Sequence, residues 1–380
     1  MSRKSHKVSV DDPEDTQKNF NQDQVNDQTS LLIPLLGRDI SINCICRVPR
    51  SEYGSIALLN RSFRDLIRTG QVYWLRREMG IVEHWIYFSC NLLLWEGFDP
   101  VSGLSVHLPP MVTSDCFMCS DKESLAVGTE LLVLGKDVTA PIVYKYSIVT
   151  NEWTVGASLN FPRCLFGSAS LGGIGIVAGG CDPRGKVLSV AELYNSDTGK
   201  WEILPNMHYA RKMCSAVFIH GKFYVVGGVG DDLKPIPCSE EFDLKTKEWR
   251  KVPDMAPPPN EVDENARPTN VVEAPPLLGV VNNVLYAADH HKRELKTYVK
   301  ERNLWITLGG LPKGSASMHG WGIAFRACGD RLMVIGGQNI YGGRMVEISS
   351  WIPDGGSPQW DLLARRESSN FVYNCTVMGC

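Results

Sequence analysis

Tryptophan recurs at Trp153, Trp201, Trp249, Trp305 and Trp360, at intervals of 48, 48, 56 and 55 residues. A large aromatic repeated at that period marks a chain assembled from copies of one supersecondary unit, each unable to bury both its faces alone. Seven residues before the first four stand Tyr146, Tyr194, Phe242 and Tyr298, in the segments YSIVTNEW, YNSDTGKW, FDLKTKEW and YVKERNLW. An aromatic closes one strand, a polar turn follows and Trp opens the next strand, which predicts a repeated β-hairpin. A further 48 residues upstream, FDPVSGLS puts Phe98 at the aromatic position and Ser105 where Trp is expected. Upstream of the hairpins, apolar runs end at paired small residues: Gly179–Gly180, Gly227–Gly228, Gly336–Gly337 and, degenerately, Ala287–Ala288. Glycine pairs suit a sharp turn or a close backbone approach at a strand end. Units of about 50 residues with four strands each predict a β-propeller. Registers at Ser105, Trp153, Trp201, Trp249, Trp305 and Trp360 give six blades. The first unit lacks a strand before VEHWIYFSC, and residues 371–380 (FVYNCTVMGC) are expected to supply it.

This pattern resembles the kelch repeat over roughly residues 81–380. The last unit departs from it, with Pro353 at the −7 position and a longer turn, SSWIPDGGSPQW. The unit before it carries an insertion, Met255 to Pro276, whose proline and acidic content predict an exposed loop.

Composition narrows the function classes. With 39 Lys+Arg against 42 Asp+Glu the chain has a net charge of −3, which offers no basic field for phosphate-driven nucleic-acid binding. No apolar run approaches the roughly 18 residues of a membrane span. The start of the chain has no apolar signal core, so the 12 cysteines are expected to be reduced thiols in a protein of the cytoplasm or nucleus. Residues 1–30 hold too few apolar side chains to offset chain entropy and are expected to be a disordered tail.

Residues 31–80 follow a different period. Ile42, Ile45 and Val48 fall on one helical face, with Asp39 as N-cap and Pro49 as the stop. Ile56, Leu59, Phe63, Leu66 and Ile67 make a second stripe; Val72, Leu75 and Met79 make a third. Three short helices over fifty residues bury only a small core, so a docked partner would help to stabilise them. The segment resembles an F-box: Leu32, Ile33 and Pro34 stand at its Leu-Pro start, Ile45, Val48 and Pro49 at the end of its first helix. Arg61, Ser62 and Phe63 match its basic-aromatic helix, with Trp74 downstream. Ile33 and Cys44 replace the more usual leucines. Placed before a kelch-like propeller, the module makes the chain similar to the plant F-box/kelch-repeat proteins.

That resemblance implies an all-β six-bladed propeller behind a small all-α module, acting as the substrate-recognition subunit of a cullin-type ubiquitin ligase. The module would dock a Skp-type adaptor, and through it a cullin, using Leu32, Ile33, Pro34, Ile45, Val48, Pro49, Leu58 and Trp74. Packing inside the helical segment is the competing role for the same side chains. The propeller would capture a target protein. Arg163 and Arg211, each ten residues after its Trp, would face the channel and pair bidentately with an acidic target; Pro259 occupies that offset in the next unit. His319, Trp321 and the insertion are further candidates. No cofactor or metal is expected. No histidine has Asp four residues before it, as a Glu-x3-Asp-x3-His iron motif requires; the pairs Cys44/Cys46 and Cys116/Cys119 lack a second zinc-finger half, and His290–His291 reads as a solvated turn. A propeller scaffold with no ubiquitin role and a metal-dependent propeller enzyme are the alternatives.

Overall fold

In the computed structural model, the residue two before each of four tryptophans adopts a left-handed backbone: Asn151 (φ 56°), Gly199 (64°), Lys247 (60°) and Asn303 (52°). Glycine and asparagine enter that region most cheaply, which accounts for three of the four choices. The turn sets each aromatic opposite its tryptophan, pairing Tyr146 with Trp153, Tyr194 with Trp201, Phe242 with Trp249 and Tyr298 with Trp305. Their ring centroids lie 5.4, 5.0, 4.9 and 5.4 Å apart. The structure describes residues 32–33, 35–119, 122–138, 140–236, 238–253, 255–257, 273–315, 317, 319–340, 343–368 and 370–380. The tail expected at 1–30, Pro34, Pro259 and most of the 255–276 insertion lie outside them.

Six antiparallel sheets follow, with the first-named strand of each innermost. Blade 1 is Asn374–Gly379, His84–Asn91, Leu94–Phe98 and Ser105–His107. Blade 2 is Ser124–Val127, Glu130–Asp137, Ala140–Ser147 and Glu152–Val155, with Phe117–Met118 also paired to its second strand. Blade 3 is Gly167–Leu171, Ile174–Ala178, Ala191–Asn195 and Lys200–Leu204; blade 4 is Ser215–Ile219, Lys222–Val226, Ser239–Asp243 and Glu248–Val252. Blade 5 is Leu277–Val281, Val284–Asp289, Glu294–Val299 and Leu304–Gly310; blade 6 is Ala324–Cys328, Arg331–Ile340, Gly343–Trp351 and Asp361–Ser368. Each inner strand packs beside those of both neighbouring blades, so the six form a closed ring. Phe98 faces Ser105 as the register requires.

Apolar side chains pack between blades. Ile176, Leu193 and Leu204 of blade 3 meet Phe223, Val225 and Phe242 of blade 4, and equivalent clusters join blades 2 and 3, 4 and 5, 5 and 6, and 6 and 1. The repeated indole adds a directional bond at the seam. Trp153, Trp201, Trp249 and Trp360 donate their ring N–H to the carbonyls of Pro109, Ala157, Pro205 and Gly310 at the end of the preceding blade, at 2.8, 3.0, 2.7 and 2.9 Å. Where Trp is lost at Ser105, Arg366 of blade 6 bonds to the serine hydroxyl and to Glu96 instead.

The last unit differs from the sequence expectation in detail. The aromatic partner of Trp360 is Trp351, with centroids 6.2 Å apart, because the longer turn places it two residues before Pro353. In blade 6 the second strand runs on through Gly336 and Gly337 to Ile340, whereas in blades 3 and 4 it stops before the pair. Gly180 (φ 93°) shows why a pair is needed there: a Cβ would lie 2.5 Å from the Cys164 carbonyl oxygen.

The chain through Ile81 is a separate compact unit. Its described residues hold four α-helices rather than the three expected over 31–80: α1 (Arg38–Cys46), α2 (Tyr53–Leu59), α3 (Arg61–Arg68) and α4 (Gln71–Glu78), with a 3-10 turn at Arg50–Glu52. The second apolar stripe is cut by Asn60, whose extended backbone ends α2 and whose side chain caps α3 by accepting from the Phe63 N–H at 2.9 Å. Gly37, not Asp39, is the N-cap of α1; Asp39 lies in its first turn, where the helix dipole favours it. Arg76 is fully buried and organises the unit. Its Nη1 donates to the carbonyls of Cys46 (3.1 Å) and Val48 (3.0 Å) and to the Tyr53 hydroxyl (3.0 Å), tying α4 to the end of α1. Among the described residues no helix is long and apolar enough to cross a membrane.

Ring closure yields a direct expectation. Deleting Asn374–Cys380 leaves the His84–Asn91 strand without its inner neighbour, takes the buried Cys375 and Met378 side chains out of the core and uncovers Ile86 and Phe88. A loss of about 4 kcal/mol or more is expected, measured as a lowered urea midpoint against the full chain.

Candidate functional site

The segments leading into the inner strands meet the loops between second and third strands at one end of the ring. Isolated bridges Cys164–Cys181 and Lys212–Val229 join them in blades 3 and 4. Loops of this kind, carried on a rigid scaffold, are where binding residues concentrate. Arg163, Arg211, His319 and Trp321 all belong to this end.

The two arginines do not present themselves to a partner. Both side chains are completely buried, each paired with an equally buried glutamate of its own blade: Arg163 with Glu192 at 2.6 Å and Arg211 with Glu240 at 2.9 Å. The arrangement repeats group by group. Arg163 Nη1 donates to the carbonyls of Gly179 and Val190, and Arg211 Nη1 to those of Gly227 and Cys238. Glu192 accepts the backbone N–H groups of Asn160 (2.8 Å) and Phe161 (3.0 Å); Glu240 accepts those of His208 (2.7 Å) and Tyr209 (3.1 Å). A buried charge is tolerated only when paired and fully bonded, and here each guanidinium satisfies carbonyls that the glycine turn leaves open. The expected capture of an acidic target by these arginines is therefore corrected: they brace the loops. What they brace is Phe161 and Tyr209, both exposed, at the same offset of eight residues after the repeat tryptophan. Sequence reading passed over these two aromatics, though their shared offset was visible.

Further round the same end, His319 and Trp321 are half-buried. Lys122 Nζ stands over the Trp321 ring at 5.4 Å and donates to the Ile323 carbonyl at 3.1 Å. Lys122, Arg326 and Tyr373 line a recess at the start of the inner strands of blades 6 and 1. The His290–His291 doublet is not a free solvated turn. Asp289 accepts the N–H groups of His291 (3.1 Å) and Lys292 (3.0 Å), and so holds the loop. The two imidazoles lie 4.1 Å apart, His319 is 6.2 Å from His291, and Glu273 bonds His291 Nε2 at 3.0 Å. One donor atom from each of Glu273, His290 and His291 lies within 4.8 Å of the others, a set able to accept a divalent cation. Burial, followed by the neighbouring His291, holds the His290 imidazole down to about 4, so it is neutral at pH 7.

In the helical unit the eight expected docking residues divide. Leu32 (2% exposed) and Ile45 (4%) are packed in the core of the unit, the competing role stated for them, and offer little surface to a partner. Ile33 and Val48 are half-buried; Pro34 lies outside the described residues. Pro49, Leu58 and Trp74 are exposed, as are Leu35, Ile40 and Leu59, which sequence reading did not single out as docking residues.

Two expectations follow from this geometry. Glu192→Ala or Arg163→Ala leaves an unpaired buried charge and should cost about 3–5 kcal/mol, read from urea denaturation; Lys234→Ala, which breaks only the exposed pair with Asp232, should change little. An arginine made for target contact would instead lose binding with its stability intact. For His290, an NMR titration of the ring protons should give a midpoint near 4. Since an unfolded histidine takes up its proton near 6.5, His290 subtracts stability as pH falls from 6.5 towards 4, and subtracts no more below that.

The comparisons with known proteins agree with this architecture. The Kelch motif family model matches residues 162–208 and 210–256, the bodies of blades 3 and 4. The F-box/kelch-repeat protein SKIP11 of Arabidopsis thaliana is 55% identical over 351 residues, spanning 92% of this chain and 75% of that protein. A second F-box/kelch-repeat protein of that plant is 48% identical over 381 residues (100% and 89%), and a third 51% over 361 (93% and 80%). The solved structure of YjhT superposes with a TM-score of 0.51 at 13% identity, covering 71% of this chain and 91% of that one, a likeness of fold alone. With a helical module, a six-bladed ring and relatives of this identity over nearly its whole length, the chain belongs to the F-box/kelch-repeat protein family.

Proposed function

We propose that this chain is the substrate-recognition subunit of a Skp–cullin–F-box ubiquitin ligase, its helical unit docking a Skp-type adaptor and its propeller holding the target. Membership of the family and the kelch propeller support a recognition role in general. The observation that carries the finer reading is the helical unit itself, which leaves Leu58 (78% exposed), Leu59 (71%) and Trp74 (51%) in water beside a small core. Large apolar side chains exposed on so small a unit favour a covering partner. On the propeller, the loop end carrying Phe161, Tyr209, Trp321 and Tyr373 is the proposed target face, with aromatics of the kind that dominate binding hot spots. His319, among them, offers a polar contact at the same end. Transfer chemistry would belong to other subunits, and this chain would supply proximity.

Adaptor binding tests the reading. Full-length protein carrying Leu58→Asp with Leu59→Asp should bind a purified Skp-type adaptor at least ~30-fold more weakly than the unaltered chain, as loss of a central apolar anchor does. Circular dichroism should show the helices intact. No binding by the unaltered chain would leave a protein-binding propeller without a ubiquitin role; undiminished binding by the variant would move the adaptor contact away from Leu58 and Leu59.

A further inference from the structure

All twelve cysteines are free thiols, and two of them stand directly opposite each other. Cys164, in the segment leading into blade 3, and Cys181, immediately after the Gly179–Gly180 turn of the same blade, exchange both backbone hydrogen bonds, at 3.0 and 2.8 Å. Residues so paired across antiparallel backbone sit with Cα atoms about 5.5 Å apart, inside the range a disulfide spans. Their Sγ atoms are 3.5 Å apart, so a bond needs each sulfur to move by less than ~1 Å. We propose that Cys164 and Cys181 form a reversible modification site, a vicinal dithiol that small hydroperoxide oxidants convert to an intrachain disulfide.

The surroundings divide the labour between the two thiols. The hydrogen bond from Cys164 draws the Cys181 thiol down to about 7 against the resistance of burial, with the Lys212 ammonium assisting and Asp182 opposing. The same bond, then burial, Cys181 and Glu123, push Cys164 up, against Lys136. Cys181 is therefore the thiolate and Cys164 the proton donor beside it. In the first step the Cys181 thiolate attacks one oxygen of hydrogen peroxide, cleaving the O–O bond; Cys181 becomes a sulfenic acid and hydroxide leaves, taking up a proton as water. In the second step Cys164 gives up its proton and its sulfur displaces the sulfenic oxygen, which leaves as a second water. Two thiols are oxidised by two electrons and one peroxide is reduced to two waters. A dithiol reductant reverses the change.

The site lies at the loop end proposed above as the target face, three residues from Phe161, but its chemistry does not rest on that assignment. Closure would add a covalent tie between the segment that presents Phe161 and the loop running from Cys181 to Val187, which backbone bonds and the thiol contact now join.

The test uses the full-length reduced protein, treated with graded hydrogen peroxide, alkylated, digested and read by peptide mass spectrometry. The expected result is a Cys164–Cys181 linked peptide at peroxide levels that leave the other ten thiols alkylated, and its loss on treatment with dithiothreitol. Cys164→Ser should trap Cys181 as sulfenic acid, detectable with a dimedone probe, whereas Cys181→Ser should leave Cys164 unlabelled. Linked peptides appearing only together with general thiol oxidation, or equal labelling of the two single variants, would overturn the proposal. The wild-type measurement needs no variant to fold, and its outcome is independent of adaptor binding.

Discussion

Closure of the ring depends on a pairing between strands almost three hundred residues apart. Asn374–Gly379 lies antiparallel to His84–Asn91, from Trp85 opposite Met378 to Phe88 opposite Cys375. Every other blade is built from one continuous stretch, so its strands find each other across short turns. Blade 1 cannot form its inner strand locally, and the Ala126 N–H that bonds Thr376 Oγ1 at 3.0 Å carries the same dependence into blade 2. A propeller has no exposed sheet edge to spare at its centre: until that strand arrives, the first blade presents unpaired backbone to the channel. Local hairpins supply much of the gross order, and one non-local contact converts a row of blades into a ring.

Within that ring the same engineering problem is solved twice with the same parts. Blades 3 and 4 each turn sharply at two glycines, which frees carbonyl groups in a place water does not reach. A guanidinium accepts that burden from one side, and a carboxylate neutralises it while collecting backbone N–H groups from the approaching segment. Such a pair is poor evidence of extra stability by itself, since apolar packing can match it. Its value here is positional: four or more directional bonds per blade define where the exposed loop residues Phe161 and Tyr209 stand.

Much of this was legible because the repeat writes its register into the sequence. The Trp spacing, the aromatic seven residues before it and the left-handed turn residue between them are all consequences of one hairpin geometry. Direction was harder to read. An offset of ten from Trp places an arginine in a loop but does not say which way its side chain turns; the signal that decides it is the glutamate 29 residues further on, Glu192 after Arg163 and Glu240 after Arg211, repeated in both units. Trp351 escaped notice because a longer turn shifted it out of the fixed frame. In the helical unit a stripe of apolar residues looked continuous across Asn60, and the cap that divides it also decides that Leu58 and Leu59 end a helix in water while Phe63 begins the next in the core. Apolar character alone does not separate Leu32, which is buried, from Leu58, which is not.

The substitution of Arg366 for the missing indole at Ser105 gives one joint in the ring a different physical character from the rest. The seams between blades 1 and 2, 2 and 3, 3 and 4, and 5 and 6 carry neutral N–H to carbonyl bonds that dissolved ions barely touch. The joint between blades 6 and 1 adds an ion pair with both partners about a quarter exposed, within reach of mobile counterions. Added salt weakens that pair and so loosens the joint between blades 6 and 1, while the indole-to-carbonyl bonds at four other seams stay tight, in the manner of a washer split at a single cut.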